Sequence, residues 1–183
     1  IALALIPTIP GVFDGYAVQI GVQILAFAMI ALSMTVIGGA AGQLSLGQAG
    51  PVALGAYAAA MLTKDAGLPF LVAAPLAGLV SAVLIAVLNA PSWRLSGHYP
   101  AIATLATGAA ISAVLLVATP ITGGGSGIAQ IPLPDIFGIQ ISSTTQFYAL
   151  GLGILLVLIL LVHRLGRSHL GLTWRAIRDD EVV

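Results

Sequence analysis

The sequence predicts an all-α integral membrane protein: a polytopic transmembrane helix bundle with one Gly-rich, discontinuous helix. Three observations carry this. Charged residues make up only 7% of the 183 and hydrophobic residues 59%, whereas a soluble domain is about a quarter charged. Six Lys+Arg and six Asp+Glu cannot cover a soluble globule of this size. That excludes a soluble enzyme, a disordered chain and a nucleic-acid binder with a basic footprint. The charges also fall at the edges of long apolar runs: 49 residues between Asp14 and Lys64, 28 between Asp65 and Arg94, 40 between Arg94 and Asp135, and 27 from Ile136 to Val162. A crossing helix needs about 20 apolar residues, so the first run holds two crossings and the others at least one each. Finally, Gly38, Gly39, Gly42, Gly47 and Gly50 crowd into one stretch with Gln43, Ser45 and Gln48. No strand alternation of a membrane β-barrel is present.

Each element follows in order. Ile1–Ile9 reads as the end of a truncated helix, broken by Pro7, Pro10 and Gly11. The chain is therefore expected to be a piece of a longer membrane protein. Five full crossings are predicted at 16–37, 46–63, 69–91, 99–119 and 147–163. The second could instead be re-entrant. Pro75 falls near the start of the third, and Trp93 with Arg94 anchors its end at the interface. Pro100 suits the first turn of the fourth. Residues 120–146 form the one long non-helical stretch, rich in Gly, Pro, Ser and Thr. The expected organisation is a transmembrane segment over 1–163 and a cytoplasmic tail over 164–183.

Alternating sides through these crossings puts Arg94, Arg164, Arg167, Arg175 and Arg178 on one face and leaves Lys64 alone opposite. Basic residues favour the cytoplasmic side. The tail is then cytoplasmic, residues 120–146 face outward, and the chain is a multi-pass protein in membrane lipid.

The chain has no cysteine, so disulfides and thiolate metal sites are excluded. His98, His163 and His169 have no zinc-site spacing. No carboxylate lies in a predicted crossing, and no Ser/His/Asp constellation forms. No catalytic role, cofactor or metal is expected. An ionisable relay of the kind proton-coupled pumps use is also missing from the crossings, so energy is expected to enter from elsewhere, for instance through the tail.

Four segments stand out. Residues Gly38–Gly50 weaken helix, at about 1 kcal/mol per Gly relative to Ala. Broken backbone in lipid survives where it is buried in protein or lines a wet cavity. Gln43, Ser45 and Gln48 then border a polar pathway; alternatively, the glycines serve close helix packing, Gly38 and Gly42 forming a GxxxG pair. The two readings are compatible, and the sequence leaves both open. In the second segment, Thr104 and Thr107 share a face with Gly108, and their hydroxyls either face the pathway or bond back to their own helix. The third, Thr122–Ile128, lacks the Lys-Ser/Thr ending of a phosphate loop and reads as a flexible external turn. The fourth is the tail. Trp174, Ile177 and Glu181 share a helical face, and Arg175 with Asp179 is an i, i+4 pair. Such an amphipathic helix lies on lipid or docks into a partner's groove, and the acids Asp179–Glu181 favour docking.

Together these segments resemble the LivM-type permease subunits of bacterial ABC importers for branched-chain amino acids. The resemblance rests on Gly42-Gln-Leu-Ser-Leu-Gly-Gln-Ala49 with Gly55-Ala-Tyr57, Arg94-Leu-Ser-Gly-His-Tyr99 with Ala101-Ile-Ala-Thr-Leu105, Thr122–Ile128, and Ser168–Glu181, in that order. It implies an all-α permease of the bacterial inner membrane that moves branched-chain or other small amino acids. It further implies a second permease subunit, two ATP-binding subunits and an extracytoplasmic substrate-binding protein as partners. The candidate pathway residues are Gln43, Ser45, Gln48, Tyr57, Thr104 and Thr107. The candidate coupling residues, which resemble the start of a helix seated in an ATPase groove, are Trp174, Arg175, Ile177, Arg178, Asp179 and Glu181. A secondary transporter or channel fragment and a structural membrane subunit are the alternatives.

Overall fold

Helix dominates the computed structural model, which describes residues 15–40, 45–94, 99–136, 139–168 and 171. In chain order the elements are α1 (Gly15–Met34), a π-helical turn (Thr35–Ala40), α2 (Ala49–Lys64), α3 (Phe70–Asn89), a 3-10 turn (Ala90–Arg94), α4 (Tyr99–Val117), α5 (Thr119–Thr122), a 3-10 turn (Gly124–Ser126), β1 (Asp135–Ile136), β2 (Ile139–Gln140) and α6 (Thr144–Gly166). Four predicted crossings find their helices within a few residues. α1 with its π turn, α3 with the turn after it, α4 and α6 are each long and apolar enough to cross a membrane. The predicted crossing at 46–63 is shorter: α2 has 16 residues, about 24 Å against a hydrocarbon core of about 30 Å.

Two compact units emerge, one from residues up to 43 and from 141 onward, the other from 44–140. In the first, α1 packs on α6 around Val18, Leu25 and Tyr148, with Val22, Leu152 and Leu155 beside them. The spacing 18, 22, 25 against 148, 152, 155 is a helical stripe on each partner. Glycine makes the sockets. A Cβ on Gly21 would lie 2.9 Å from Tyr148 Cε2, and one on Gly151 would lie 3.3 Å from Leu25 Cδ1. Residue 21 meets 148 and residue 25 meets 151, so the two helices run parallel. At the end of α1, the Ser33 hydroxyl donates to the Ile30 carbonyl and the Thr35 hydroxyl to that of Leu32, each at 2.7 Å. These local bonds compete with the regular ladder, and the following Val-Ile-Gly-Gly run is a poor α-former. The helix widens there into its π turn.

α6 starts three residues earlier than expected, for a reason written in the sequence. Ser143 caps it by accepting from the Gln146 backbone N–H at 3.2 Å, and Gln146 Oε1 accepts from the Ser143 N–H at 3.2 Å. This is a capping box.

In the second unit α2 packs on both α3 and α4, which touch each other only lightly. Small residues allow the α2–α3 approach: Ala73, Ala77 and Ser81 are buried on one stripe of α3, and Gly55 faces Ser81. The Ser81 hydroxyl donates to the Pro51 carbonyl at 2.8 Å. Residues 119–127 correct the expectation of a flexible turn, for they form a tightly wound cap. Thr122 is 2% exposed. Its hydroxyl shares a proton between the Leu115 and Ala118 carbonyls, at 2.6 and 2.9 Å, and accepts from the Gly124 N–H at 3.1 Å. Gly123, Gly124 and Gly127 supply positive φ. β1 and β2 then pair as a minimal antiparallel hairpin, Asp135 opposite Gln140.

Candidate functional site

The Gly-rich stretch ends in a true break. Ser45–Gly47 are non-helical, Gln48 turns, and α2 begins at Ala49. Pro51 lies in its first turn, where a missing N–H costs nothing. The helix start is closed by its own backbone, Gly50 N–H to the Gly47 carbonyl at 3.1 Å and Val52 N–H to the Gln48 carbonyl at 3.3 Å. The Gln48 side chain makes no capping bond.

The broken segment lies across α4. Ala101, Gly108 and Ile111 are buried there, and Thr104 completes their stripe. Gly47 sits on the Thr104 carbonyl, which any Cβ at 47 would strike. A Cβ on Gly108 would come within 3.2 Å of the Gly47 Cα, and one on Gly50 within 2.9 Å of Ile111 Cδ1. Backbone thus crosses backbone with no side chain between. The Thr104 hydroxyl accepts from the Leu46 N–H at 3.2 Å and donates to the Ala101 carbonyl at 2.9 Å. Thr104 therefore does what helix back-bonding predicts and also holds the break. The Leu46 carbonyl and the Gly47 N–H make no hydrogen bond to other described residues. Thr104 and Gly108 lie about 8 and 14 Å along α4 from Tyr99, so the crossing is well inside the span.

The candidate pathway residues separate into groups. Ser45 and Gln48 flank the break, both half-buried, and Thr104 bonds into it through the Leu46 N–H. Thr107 bonds back to the Ala103 carbonyl at 3.0 Å and opens on an apolar groove of about 440 Å³ shared with Leu54, Leu84, Val87 and Val114. Tyr57 lies two turns further along α2, beside a cavity of about 150 Å³ lined by Ala56, Ala60, Ile128 and Ile131. Gln43 lies outside the described residues, as do the candidate coupling residues Trp174, Arg175, Ile177, Arg178, Asp179 and Glu181. Gly42 does too, so the Gly38–Gly42 pair has no structural description. Among the described residues no cluster of three or more His, Asp or Glu could hold a metal.

Two features escaped the sequence reading. Lys64 Nζ donates to the Ala129 carbonyl at 2.8 Å, across 65 residues; nothing local signals such a partner. The Leu46–Thr104 bond joins two segments that each stood out, but their pairing is a tertiary fact.

Comparison with known proteins supplies the wider context. The family model described as "Branched-chain amino acid transport system / permease component" matches residues 16–183. The chain is 35% identical over 190 residues to the high-affinity branched-chain amino acid transport system permease protein LivM of Salmonella typhimurium. It is 34% identical over 189 residues to the protein of the same name from Escherichia coli. Both alignments cover 91% of this chain, against 45% and 44% of those proteins, so the chain spans somewhat less than half the length of these relatives. No solved structure matches.

Proposed function

The chain belongs to the family of branched-chain amino acid transport system permease components, and from that premise we propose that it is part of the membrane-spanning permease of an ATP-driven importer. It is a multi-pass protein of the bacterial inner membrane. In this reading it carries branched-chain or other small amino acids, delivered by an extracytoplasmic binding protein. It works with a second permease and two ATP-binding subunits, and it performs no catalysis itself.

The observation that carries this is the break at Ser45–Gln48 lying across α4 inside the span. Unpaired backbone polar groups cost several kcal/mol in hydrocarbon. Transporters place such broken helices beside the substrate path. Ser45 and Gln48 supply the polar border together with the Leu46 carbonyl and Gly47 N–H, which have no hydrogen-bond partner among the described residues, and Gln43 lies just before them in sequence. The parallel course of α1 and α6 supports a full crossing by residues 45–64. Three crossings between two parallel helices return the chain to the correct side; two would make α6 antiparallel to α1.

Uptake of labelled leucine into proteoliposomes holding the complete permease, its partner subunits and the binding protein tests the proposal. Uptake should require ATP and fall severalfold in Gln48→Leu while assembly persists. Uptake driven by an ion gradient without ATP would favour a secondary transporter. Unchanged uptake across apolar substitutions at 43, 45, 48 and 104 would leave the break a packing device. For the tail, Trp174→Ala or Ile177→Asp should reduce co-purification of the ATP-binding subunits, because buried anchors carry most of an interface's energy. Arg175, Arg178, Asp179 and Glu181 would set register.

A further inference from the structure

Residues 128–131 are held at both ends but lightly in the middle. Upstream stands the Thr122 cap, ending in Gly127 at φ 68° and ψ −173°, a conformation only glycine adopts readily. Downstream, β1 lies against α3. Between these anchors the segment runs beside the C-terminal half of α2. Ile128 and Ile131 cover the cavity of about 150 Å³ beside Tyr57, Ala56 and Ala60. Among the described residues one hydrogen bond fastens it, from the exposed Lys64 ammonium to the Ala129 carbonyl at 2.8 Å. The next residue, Gln130, has φ 58°, and it is the one non-glycine at positive φ among the described residues. A non-glycine side chain is strained there. A strained residue beside an exposed latch, between a tightly wound cap and a short strand on α3, leaves the middle of the segment easiest to lift.

We propose that residues 128–131 form a strap, latched by Lys64 and loaded by Gln130, that covers the Tyr57–Ala60 surface of α2 and lifts to expose it. Its service as an outer gate for amino-acid passage rests on the transport reading above; the latch itself does not.

The absence of cysteine from this chain allows a direct test. Ala60, 7% exposed beneath the strap, becomes a reporter as Ala60→Cys in the complete permease, assembled with its partners in nanodiscs so that reagent reaches both faces. Alkylation by a small maleimide is followed at that peptide by mass spectrometry. Lys64→Met should speed labelling about fivefold, the scale of one charged hydrogen bond at an exposed site. Lys64→Arg, which keeps a donor, should restore protection. Gln130→Asn, which tolerates positive φ better, should slow labelling below the parent rate. A Ser126→Cys reporter in the cap should label equally with and without Lys64→Met. Equal rates at position 60 with and without Lys64→Met overturn the strap. So does parallel acceleration at 126, which would mean the whole cap had loosened. Uptake in the same preparation reports separately: faster labelling with unchanged uptake keeps the strap and removes it from the transport path.

Discussion

Glycine does different work in the two units. Between α1 and α6, Gly21 and Gly151 are sockets for the side chains of Tyr148 and Leu25. At the start of α2, Gly47 and Gly108 bring two backbones together, and the neighbouring threonine hydroxyl satisfies an N–H that the close approach strands. A socket is adjustable, because a ring can tilt or a leucine can change rotamer. A backbone crossing has no such freedom. Apolar contact alone suffices where both helices are continuous, whereas a broken helix needs a polar partner as well.

The comparison predicts an order of effects. Gly47→Ala should be the most damaging, since the added methyl strikes a carbonyl that cannot move aside without shifting α4. A loss of about 3 kcal/mol or more is expected, read as failure to recover folded permease in mild detergent. Gly21→Ala should cost about 1–2 kcal/mol. Tyr148→Leu in the same chain should recover part of it, because the clash is with a ring; a double-mutant cycle on thermal unfolding measures the coupling. If the two glycine variants prove equally harmful, the distinction between socket and crossing fails.

Thr104→Val keeps shape but removes the acceptor for the Leu46 N–H. It should cost about 1 kcal/mol, with Thr104→Ser close to the parent; a loss in Thr104→Ser larger than in Thr104→Val would mean the methyl group, not the hydroxyl, holds the break. Ser143→Ala should cost somewhat less, up to about 1 kcal/mol, seen as earlier hydrogen exchange in the first turn of α6. Gly153→Ala should run the other way. A Cβ there meets nothing within 4 Å, and replacing a mid-helix glycine gains about 0.5 kcal/mol. Destabilisation at this position would point to a contact with another subunit.

The helices were legible because lipid imposes length and apolarity on each crossing separately, so Phe70–Asn89 and Tyr99–Val117 announce themselves without their neighbours. The family could be read because its motifs sit at the places where that rule is broken. The start of α6 was also legible in Ser143 and Gln146, although the turn-rich composition before it points to a later start. What composition hid was the folded state of Thr122–Ile128. Glycine-rich sequence looks flexible, yet here the glycines occupy conformations other residues avoid, and a buried hydroxyl pins them. Tyr57 and Thr107 looked like companions of Thr104, but one lies two turns along α2 and the other opens on the apolar groove. Sequence gives the face of one helix; which neighbour meets that face depends on how three helices cross.

The crossing of Gly47 over α4 has a mechanical consequence. Where backbone rests on backbone there is little play, and the Thr104 side chain that ties the two segments is itself fixed by two hydrogen bonds. Sliding α4 along its axis would carry the Leu46 N–H and the first turn of α2 with it, as a rack carries its pinion. A stroke that reshapes the broken segment would then bend the chain on either side of this joint more readily than the joint itself.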